Sequence, residues 1–179
     1  MSDRPHTGDT TEAADPLFFR EVQRFHHWFF WLPLIIVVGV IWWQFIQQIV
    51  VGRPPGTVPI SDWAAWVLAI VFGIGFPVFA ALVRLVTEIG PGSLSVRLIP
   101  FRGRLIPTQD VEEAYSREYS PMREFGGWGI RLAADGGKAY NAHGNLGVQL
   151  VLADGKRVLI GTQRPDEMLA ALRSAGAKI

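Results

Sequence analysis

Histidines are the side chains of this sequence best suited to acid–base or metal chemistry, and there are four of them: His6, His26, His27 and His143. A nucleophilic enzyme would place such a base beside an activated Ser, Thr or Cys, but the sequence contains no Cys and no G-x-S-x-G motif. It also lacks the His-Glu-x-x-His spacing of a zinc site. His143 stands in the run Ala-His-Gly-Asn, which is typical of a solvated turn. We therefore predict that the chain is not an enzyme and has no catalytic residue, metal or cofactor.

His26 and His27 deserve a separate interpretation, because Phe25, Trp28 and Phe29 surround them. A neutral imidazole can ligate a haem iron or a chlorophyll magnesium, and aromatic rings would pack against the macrocycle. The simpler alternative is that both imidazoles lie among lipid headgroups and bind nothing. The sequence leaves both alternatives open.

Two glycine-containing stretches superficially resemble nucleotide-binding loops. Residues 153–156 (Ala-Asp-Gly-Lys) lack the first glycine of a P-loop and are typical of a hairpin turn. Residues 72–76 (Phe-Gly-Ile-Gly-Phe) lie inside a long apolar run, where a dinucleotide could not reach them. We interpret both stretches as structural.

The elements that would have to position these residues begin with two long uncharged runs, 28–51 and 63–83. The first run is long enough for ~36 Å of helix, against a hydrocarbon core of ~30 Å. The short linker between them is rich in Gly and Pro and makes the helices antiparallel neighbours. Tryptophans near the run ends are typical of membrane–water interfaces: Trp28, Trp31, Trp42, Trp43, Trp63 and Trp66.

These runs predict a polar N-terminal tail at 1–24 and a transmembrane hairpin at 25–87, with its first helix at about 28–51 and its second at about 63–86. The composition agrees, because 49% of the residues are hydrophobic and only 18% are charged. The formal net charge is +1, which favours no nucleic-acid partner.

Basic residues near the helix ends predict the orientation of the hairpin. Arg20 and Arg24 precede the first run, and only Arg53 lies in the linker. Four more follow the second run and could also contact lipid headgroups: Arg84, Arg97, Arg102 and Arg104. We therefore expect a multi-pass protein of a bacterial inner (cytoplasmic) membrane, with both termini in the cytoplasm.

Small and amide side chains within the runs predict helix packing. Ala65, Ala69 and Gly73 recur every four residues and are followed by Pro77, a pattern that lets helix backbones approach closely. The neighbour could be another subunit or the first helix of the same hairpin. Gln44, Gln47 and Gln48 share one face; they either hydrogen-bond to protein or already lie in the outer headgroup zone.

After Thr87 the period changes from that of a helix to alternation. Apolar residues alternate with polar ones at 94–98, 128–132 and 148–152, and residues 153–156 predict a hairpin turn into 157–160. We predict further strands near 104–106, 111–119 and 138–141. Pro165, followed by acidic residues, predicts a C-terminal helix that ends at Gly176.

Four stretches of this region carry a resemblance to a known family. They are 126–131 (Gly-Gly-Trp-Gly-Ile-Arg), 139–141 (Ala-Tyr-Asn), 147–150 (Gly-Val-Gln-Leu) and 160–166 (Ile-Gly-Thr-Gln-Arg-Pro-Asp). Together they resemble bacterial membrane proteins in which a PH-like (pleckstrin-homology-like) domain follows a two-helix hairpin. The resemblance implies an α+β membrane protein whose residues 88–179 form a PH-like antiparallel β-barrel or sandwich of about seven strands, with a C-terminal helix.

The predicted arrangement suits an adaptor better than a catalyst. We expect a non-catalytic accessory or scaffold subunit of a larger bacterial membrane complex, respiratory or photosynthetic, with other membrane-protein subunits as partners. The alternative is a membrane-anchored PH-like sensor of anionic lipid or a small ligand, to which each basic residue near the surface would contribute ~1 kcal/mol.

Overall fold

A computed structural model describes residues 17–25, 28–52, 60–101, 103–133 and 136–179. Two long apolar helices, Trp28–Val50 and Asp62–Leu82, pack side by side and form what we call the helical hairpin; each is long and apolar enough to cross a membrane. Both contain a π-helical segment. The first helix consists of α1 (Trp28–Phe45) and a π turn at Ile46–Val50. The second consists of α2 (Asp62–Ile70), a π turn at Val71–Gly75 and α3 (Phe76–Leu82).

The rest of the described chain is an α+β unit, which we call the β-domain. It contains two sheets, two α-helices, α4 (Pro121–Phe125) and α5 (Pro165–Ser174), and a short 3-10 helix at Thr108–Asp110. The first sheet has the order β1-β2-β3-β4 and the second β5-β8-β9-β7-β6. All pairs are antiparallel except β7 with β9, which is parallel. The strands are β1 (Phe19–Arg24), β2 (Arg84–Gly90), β3 (Ser93–Ile99), β4 (Arg104–Pro107), β5 (Val111–Glu118), β6 (Gly129–Leu132), β7 (Lys138–Asn141), β8 (Leu146–Leu152) and β9 (Arg157–Gly161).

The main core lies between the two sheets and α5. Strands of both sheets contribute fully buried residues such as Leu85, Leu94, Leu150 and Ile160. The amphipathic α5 closes this core with Met168 and other side chains of its apolar face. Among the described residues neither sheet closes into a barrel.

The boundaries of the β-domain differ from the sequence prediction. We expected a polar tail through residue 24 and helix through about residue 86, but Phe19–Arg24 is strand β1 and Arg84–Gly90 is strand β2. The sheets are therefore assembled from both sides of the hairpin. In β2, Leu85 and Val86 are buried in the sheet, so burial decides the conformation of an apolar stretch that periodicity alone does not distinguish from helix.

Strand β1 escaped sequence analysis because its pattern is inverted. Its inward face carries Phe19, Glu21 and Gln23, while Val22 is exposed on the outward face. Alternation with polar residues facing inward does not resemble an apolar period. With β1 and β2 added, the described ranges contain nine strands, compared with the seven that the sequence predicted.

Candidate functional site: the junction between the hairpin and the β-domain

The helical hairpin continues directly from two paired strands. Strand β1 precedes its first helix, β2 follows its second, and the two strands pair antiparallel over their whole length, from Phe19–Ile89 to Arg24–Arg84. Val83 alone separates the end of α3 from β2. Because a one-residue connection has almost no freedom, the direction of the hairpin is fixed by that of the sheet. Both strands lie at one end of the hairpin.

Aromatic contacts brace this junction from two sides. Phe29 of the first helix packs against Trp128, which precedes β6, with ring centroids 5.5 Å apart. Phe79 of the second helix packs edge-on against Phe101, in the β3–β4 connection, at 6.1 Å. Such ring pairs contribute about 0.5–1.5 kcal/mol each beyond their buried area. Each hairpin helix thus has its own contact with the β-domain.

Two further features lie at the same end. The indole of Trp31 donates a hydrogen bond from Nε1 to the Phe25 carbonyl at 2.8 Å, which links α1 to the residue that follows β1. Beside it, an apolar cavity of about 260 Å³ lies between the helices. It is lined by Phe25, Phe30, Phe76, Phe79, Ala80 and Val83.

A hydrogen bond joins the two helices at the π turn of the second one. Pro77 has no N–H, so the Gly73 carbonyl four residues earlier lacks its usual helical donor. Trp42 of the first helix donates from Nε1 to that carbonyl at 3.3 Å. Glycine favours this approach, because a Cβ at position 73 would lie 3.0 Å from the same indole nitrogen, closer than most Cβ contacts.

The small-residue stripe therefore faces the first helix. Ala65 and Ala69 are buried against Phe45, and Trp42 and Ile49 pack beside them. Of the two neighbours that the sequence left open, the structure shows the helix of the same chain. Bulky aromatic residues of one helix fill the space that small residues leave on the other.

The glutamines have different surroundings. Gln48 donates from Nε2 to the Ile60 carbonyl and to Asp62 Oδ1, both at 2.8 Å, and so ties the far ends of the two helices together. Gln44 is exposed and borders a cavity of about 200 Å³ between the helices. Gln47 is half-buried. Gln48 therefore hydrogen-bonds to the neighbouring helix region, which agrees with the protein-facing interpretation for that residue.

A buried polar network connects β1 to the C-terminal part of the β-domain. The Glu21 carboxylate accepts hydrogen bonds from the Thr162 hydroxyl and from the Gln163 N–H, the latter at 3.0 Å. Gln23 donates from Nε2 both to Glu21 Oε1 at 3.0 Å and to the Gly161 carbonyl at 2.9 Å. These bonds span about 140 residues of sequence and hold the strand that leads into the hairpin.

A cation–π contact adds to this attachment. The Arg164 guanidinium lies over the Phe19 ring, 4.9 Å from its centroid, and donates to the Arg20 carbonyl at 2.8 Å. Strand β1 is therefore fixed by side chains as well as by its ladder with β2.

The described basic residues that were predicted to contact headgroups have different surroundings. Arg97 forms an ion pair with Glu88, so the charge of Arg97 is partly neutralised within the sheet. Glu88 also forms an ion pair with Arg20, at 3.2 Å. Arg84 is exposed at the hairpin end, and Arg104 is half-buried at the start of β4. Arg102 lies outside the described residues, as do His26 and His27.

Other predicted residues occupy ordinary positions. His143 is exposed in a loop between β7 and β8, where its carbonyl accepts a hydrogen bond from Gln163 Nε2 at 3.2 Å. No group of three or more His, Asp or Glu side chains within the described ranges could hold a metal ion. Four of the predicted interface tryptophans are exposed, namely Trp28, Trp43, Trp63 and Trp66. The remaining two, Trp31 and Trp42, are half-buried and make the hydrogen bonds described above.

Fold and junction define an α+β protein in which an apolar two-helix hairpin is inserted between neighbouring strands of a sheet. Residues 5–179 match the sequence profile of DUF6141, a family of unknown function, and the chain belongs to that family. No curated protein and no solved structure matches the chain.

Sequence analysis missed the residues that make the junction, apart from the tryptophans. Glu21, Gln23 and Phe101 lie in no motif, and their roles depend on contacts between segments far apart in the chain. No local signal marks Phe19–Arg24 as a strand, because polar residues occupy both of its faces.

Proposed function

We propose that this chain is a non-catalytic accessory or scaffold subunit of a larger bacterial membrane complex, respiratory or photosynthetic. Its hairpin crosses the inner membrane, both termini are cytoplasmic, and the β-domain, which we propose to be PH-like, is held against the membrane face. The lipid-facing assignment is supported by the exposed apolar side chains of both helices, Ile35, Ile70 and Leu82 among them.

One observation carries the adaptor role: the hairpin is inserted between paired strands with a one-residue exit at Val83. A merely anchored domain would tolerate a flexible tether, and a long linker is thermodynamically inexpensive. Here the helices and the sheet share a rigid junction, braced by the Phe29–Trp128 and Phe79–Phe101 contacts. This geometry supports presentation of the β-domain to a membrane partner in one orientation.

The test is to loosen the junction without removing either part. Four Gly/Ser residues inserted directly after Val83 should leave membrane insertion intact but abolish co-purification of partner subunits from native membranes in mild detergent. The same four residues inserted in the exposed β8–β9 turn after Asp154 are the control and should leave co-purification unchanged. A native chain that migrates as a lone monomer of 19.9 kDa, with no co-purifying subunit, would refute the proposal.

A second candidate, a membrane-anchored sensor of anionic lipid, is favoured by the exposed Arg84 and by Phe101, which is 53% exposed at the hairpin end of the β-domain. The test uses a hairpin-free chain, in which residues 17–24 are joined by a short Asn-Gly turn to residues 84–179. Its flotation with anionic liposomes at low salt should weaken when Arg102 and Arg104 are replaced by Ala. Unchanged flotation would dispose of this candidate.

A further inference from the structure

A cavity of about 290 Å³ opens on the second sheet, on the face turned away from the main core. Val148 and Leu150 of β8 point into that core, so Gln149 between them points to the opposite face and lines the cavity. Leu159 of β9 does the same between Val158 and Ile160. The volume is close to the lower end of the range of about 300–1,000 Å³ typical of small-molecule sites.

Four basic side chains line this cavity, which we call the basic pocket. They come from four different elements: Arg117 from β5, Arg123 from α4, Lys138 from β7 and Arg157 from β9. Glu124 is the one carboxylate among the described lining residues. Strands and a helix separated in sequence thus bring cations together in excess.

One wall of the basic pocket is held in place by hydrogen bonds. Arg117 donates from Nη1 to Glu124 Oε2 at 2.8 Å and from Nε to Gln149 Oε1 at 3.1 Å. Glu124 Oε1 in turn accepts from the Ser120 N–H at 2.7 Å. Burial alone would raise the pKa of Glu124, but these hydrogen bonds and the charge of Arg117 together lower it, so the carboxylate is ionised at neutral pH.

Glu124 neutralises the charge of Arg117, but the pocket as a whole retains an excess of positive charge. The side chains of Arg123 and Lys138 are exposed and make no hydrogen bond or ion pair with the described residues. Beneath them part of the floor is apolar, since Leu159 is buried and packs with Phe125 in a small separate cluster. Cations above an apolar floor match a ligand that has an anionic group and a compact apolar body.

We propose that the basic pocket binds a small organic anion through Arg117, Arg123 and Lys138. The ligand would carry a phosphate or carboxylate group on a compact apolar body. Guanidinium groups fit phosphate and carboxylate oxygens in a bidentate manner, and a lysine adds a mobile charge. The site is separate from the junction and lets the β-domain respond to a ligand whether or not the scaffold role holds. The same chemistry is offered by a soluble phosphate monoester and by a phospholipid headgroup.

The experiment titrates phenyl phosphate into the full chain in nanodiscs of zwitterionic lipid and measures binding by calorimetry. Replacing both Arg123 and Lys138 by Gln should weaken binding by about tenfold or more per cation, as expected for hydrogen bonds to a charged group. The matched control replaces Arg173 and Lys178, two exposed cations in and after α5, by Gln. It removes the same charge and should change the affinity less than twofold.

The outcomes separate the two sources of the ligand. If nanodiscs containing phosphatidylglycerol weaken phenyl phosphate binding to the native chain, the pocket takes a lipid headgroup; if they do not, it takes a soluble anion. The inference is overturned by equal affinity in the native chain and the R123Q/K138Q variant, by an equal loss in the control, or by absence of binding. Thermal unfolding of each variant shows whether a loss of binding reflects loss of the fold.

Discussion

Strand β1 lies before the hairpin in sequence but inside the first sheet in space, and its removal should unfold the β-domain. The comparison is between the hairpin-free chain, in which residues 17–24 are joined to 84–179, and a chain of residues 84–179 alone. Arg24 and Arg84 are register partners, so a short Asn-Gly turn can join them without distorting the ladder.

The expected cost follows from what β1 buries. Phe19 is 5% exposed, and loss of a buried phenyl ring costs about 3–5 kcal/mol. Glu21 and Gln23 together make three side-chain hydrogen bonds to the rest of the β-domain, at about 1 kcal/mol each. The sum, roughly 6–8 kcal/mol, is comparable to the whole stability of about 5–15 kcal/mol of an ordinary domain.

The assay is urea unfolding followed by the fluorescence of Trp128, which is the only tryptophan in either shortened chain. The hairpin-free chain should unfold cooperatively, with dispersed amide resonances before the transition. The chain of residues 84–179 should show no cooperative transition. Equal midpoints for the two chains would refute the assignment of β1 to the β-domain.

Three further predictions follow from individual contacts. Gly73→Leu should destabilise the hairpin and lower the thermal midpoint of the full chain in detergent, because a Cβ there meets the Trp42 indole at 3.0 Å. Gly39→Leu is the control and should not lower it, because nothing lies within 4 Å of the added Cβ. Equal midpoints for the two variants would contradict the interhelix contact. Burial raises the pKa of Tyr119 above its ordinary value of 10.0, and the hydrogen bond of Asn141 and the charge of Arg117 only partly offset this effect. Because the folded state favours the neutral phenol, the stability of the protein should fall as the pH rises above 10.0. Urea titrations at alkaline pH should show a smaller decline for Tyr119→Phe. Glu21→Ala should lower the free energy of unfolding of the hairpin-free chain by about 3 kcal/mol, because it leaves the buried partners of Glu21 unpaired. The control Glu112→Ala, at an exposed position, should lower it by less than about 0.5 kcal/mol. Similar unfolding midpoints for the two variants would show that the Glu21 network is not stabilising.

The elements with a single dominant periodicity are the ones that the sequence predicts. The uncharged runs appear as the helices Trp28–Val50 and Asp62–Leu82, and the alternating stretches around Val148 and Val158 appear as β8 and β9. In these elements a single environment, apolar all round or apolar on one face, determines the pattern of residues.

The elements that it missed are those whose pattern depends on a distant partner. Strand β1 carries Glu21 and Gln23 on its buried face because Thr162 and Gln163 provide hydrogen bonds there, and nothing in the local sequence announces those partners. The basic pocket has the same character: Arg117, Lys138 and Arg157 are ordinary strand cations until the sheet order brings them together. Long-range pairing is the information that a single sequence lacks.

The neighbour of the small-residue stripe was undecided for a related reason. Ala65, Ala69 and Gly73 permit close approach of any helix, and the sequence offered few small residues on the first helix to match them. The structure resolves this by pairing small with large, Trp42 and Phe45 against the stripe. Complementary sizes pack as densely as matched small residues do.

The central claim is that the hairpin and the β-domain form one rigid body at the membrane. Because the chain contains no Cys, nitroxide labels can be attached at two introduced cysteines, Val50→Cys at the far end of the first helix and Lys156→Cys in the exposed β8–β9 turn. Pulsed electron–electron double resonance in nanodiscs should give a single narrow distribution of the distance between the two labels. The distribution should broaden when Gly/Ser residues are inserted after Val83. A broad distribution in the uninterrupted chain would contradict the account.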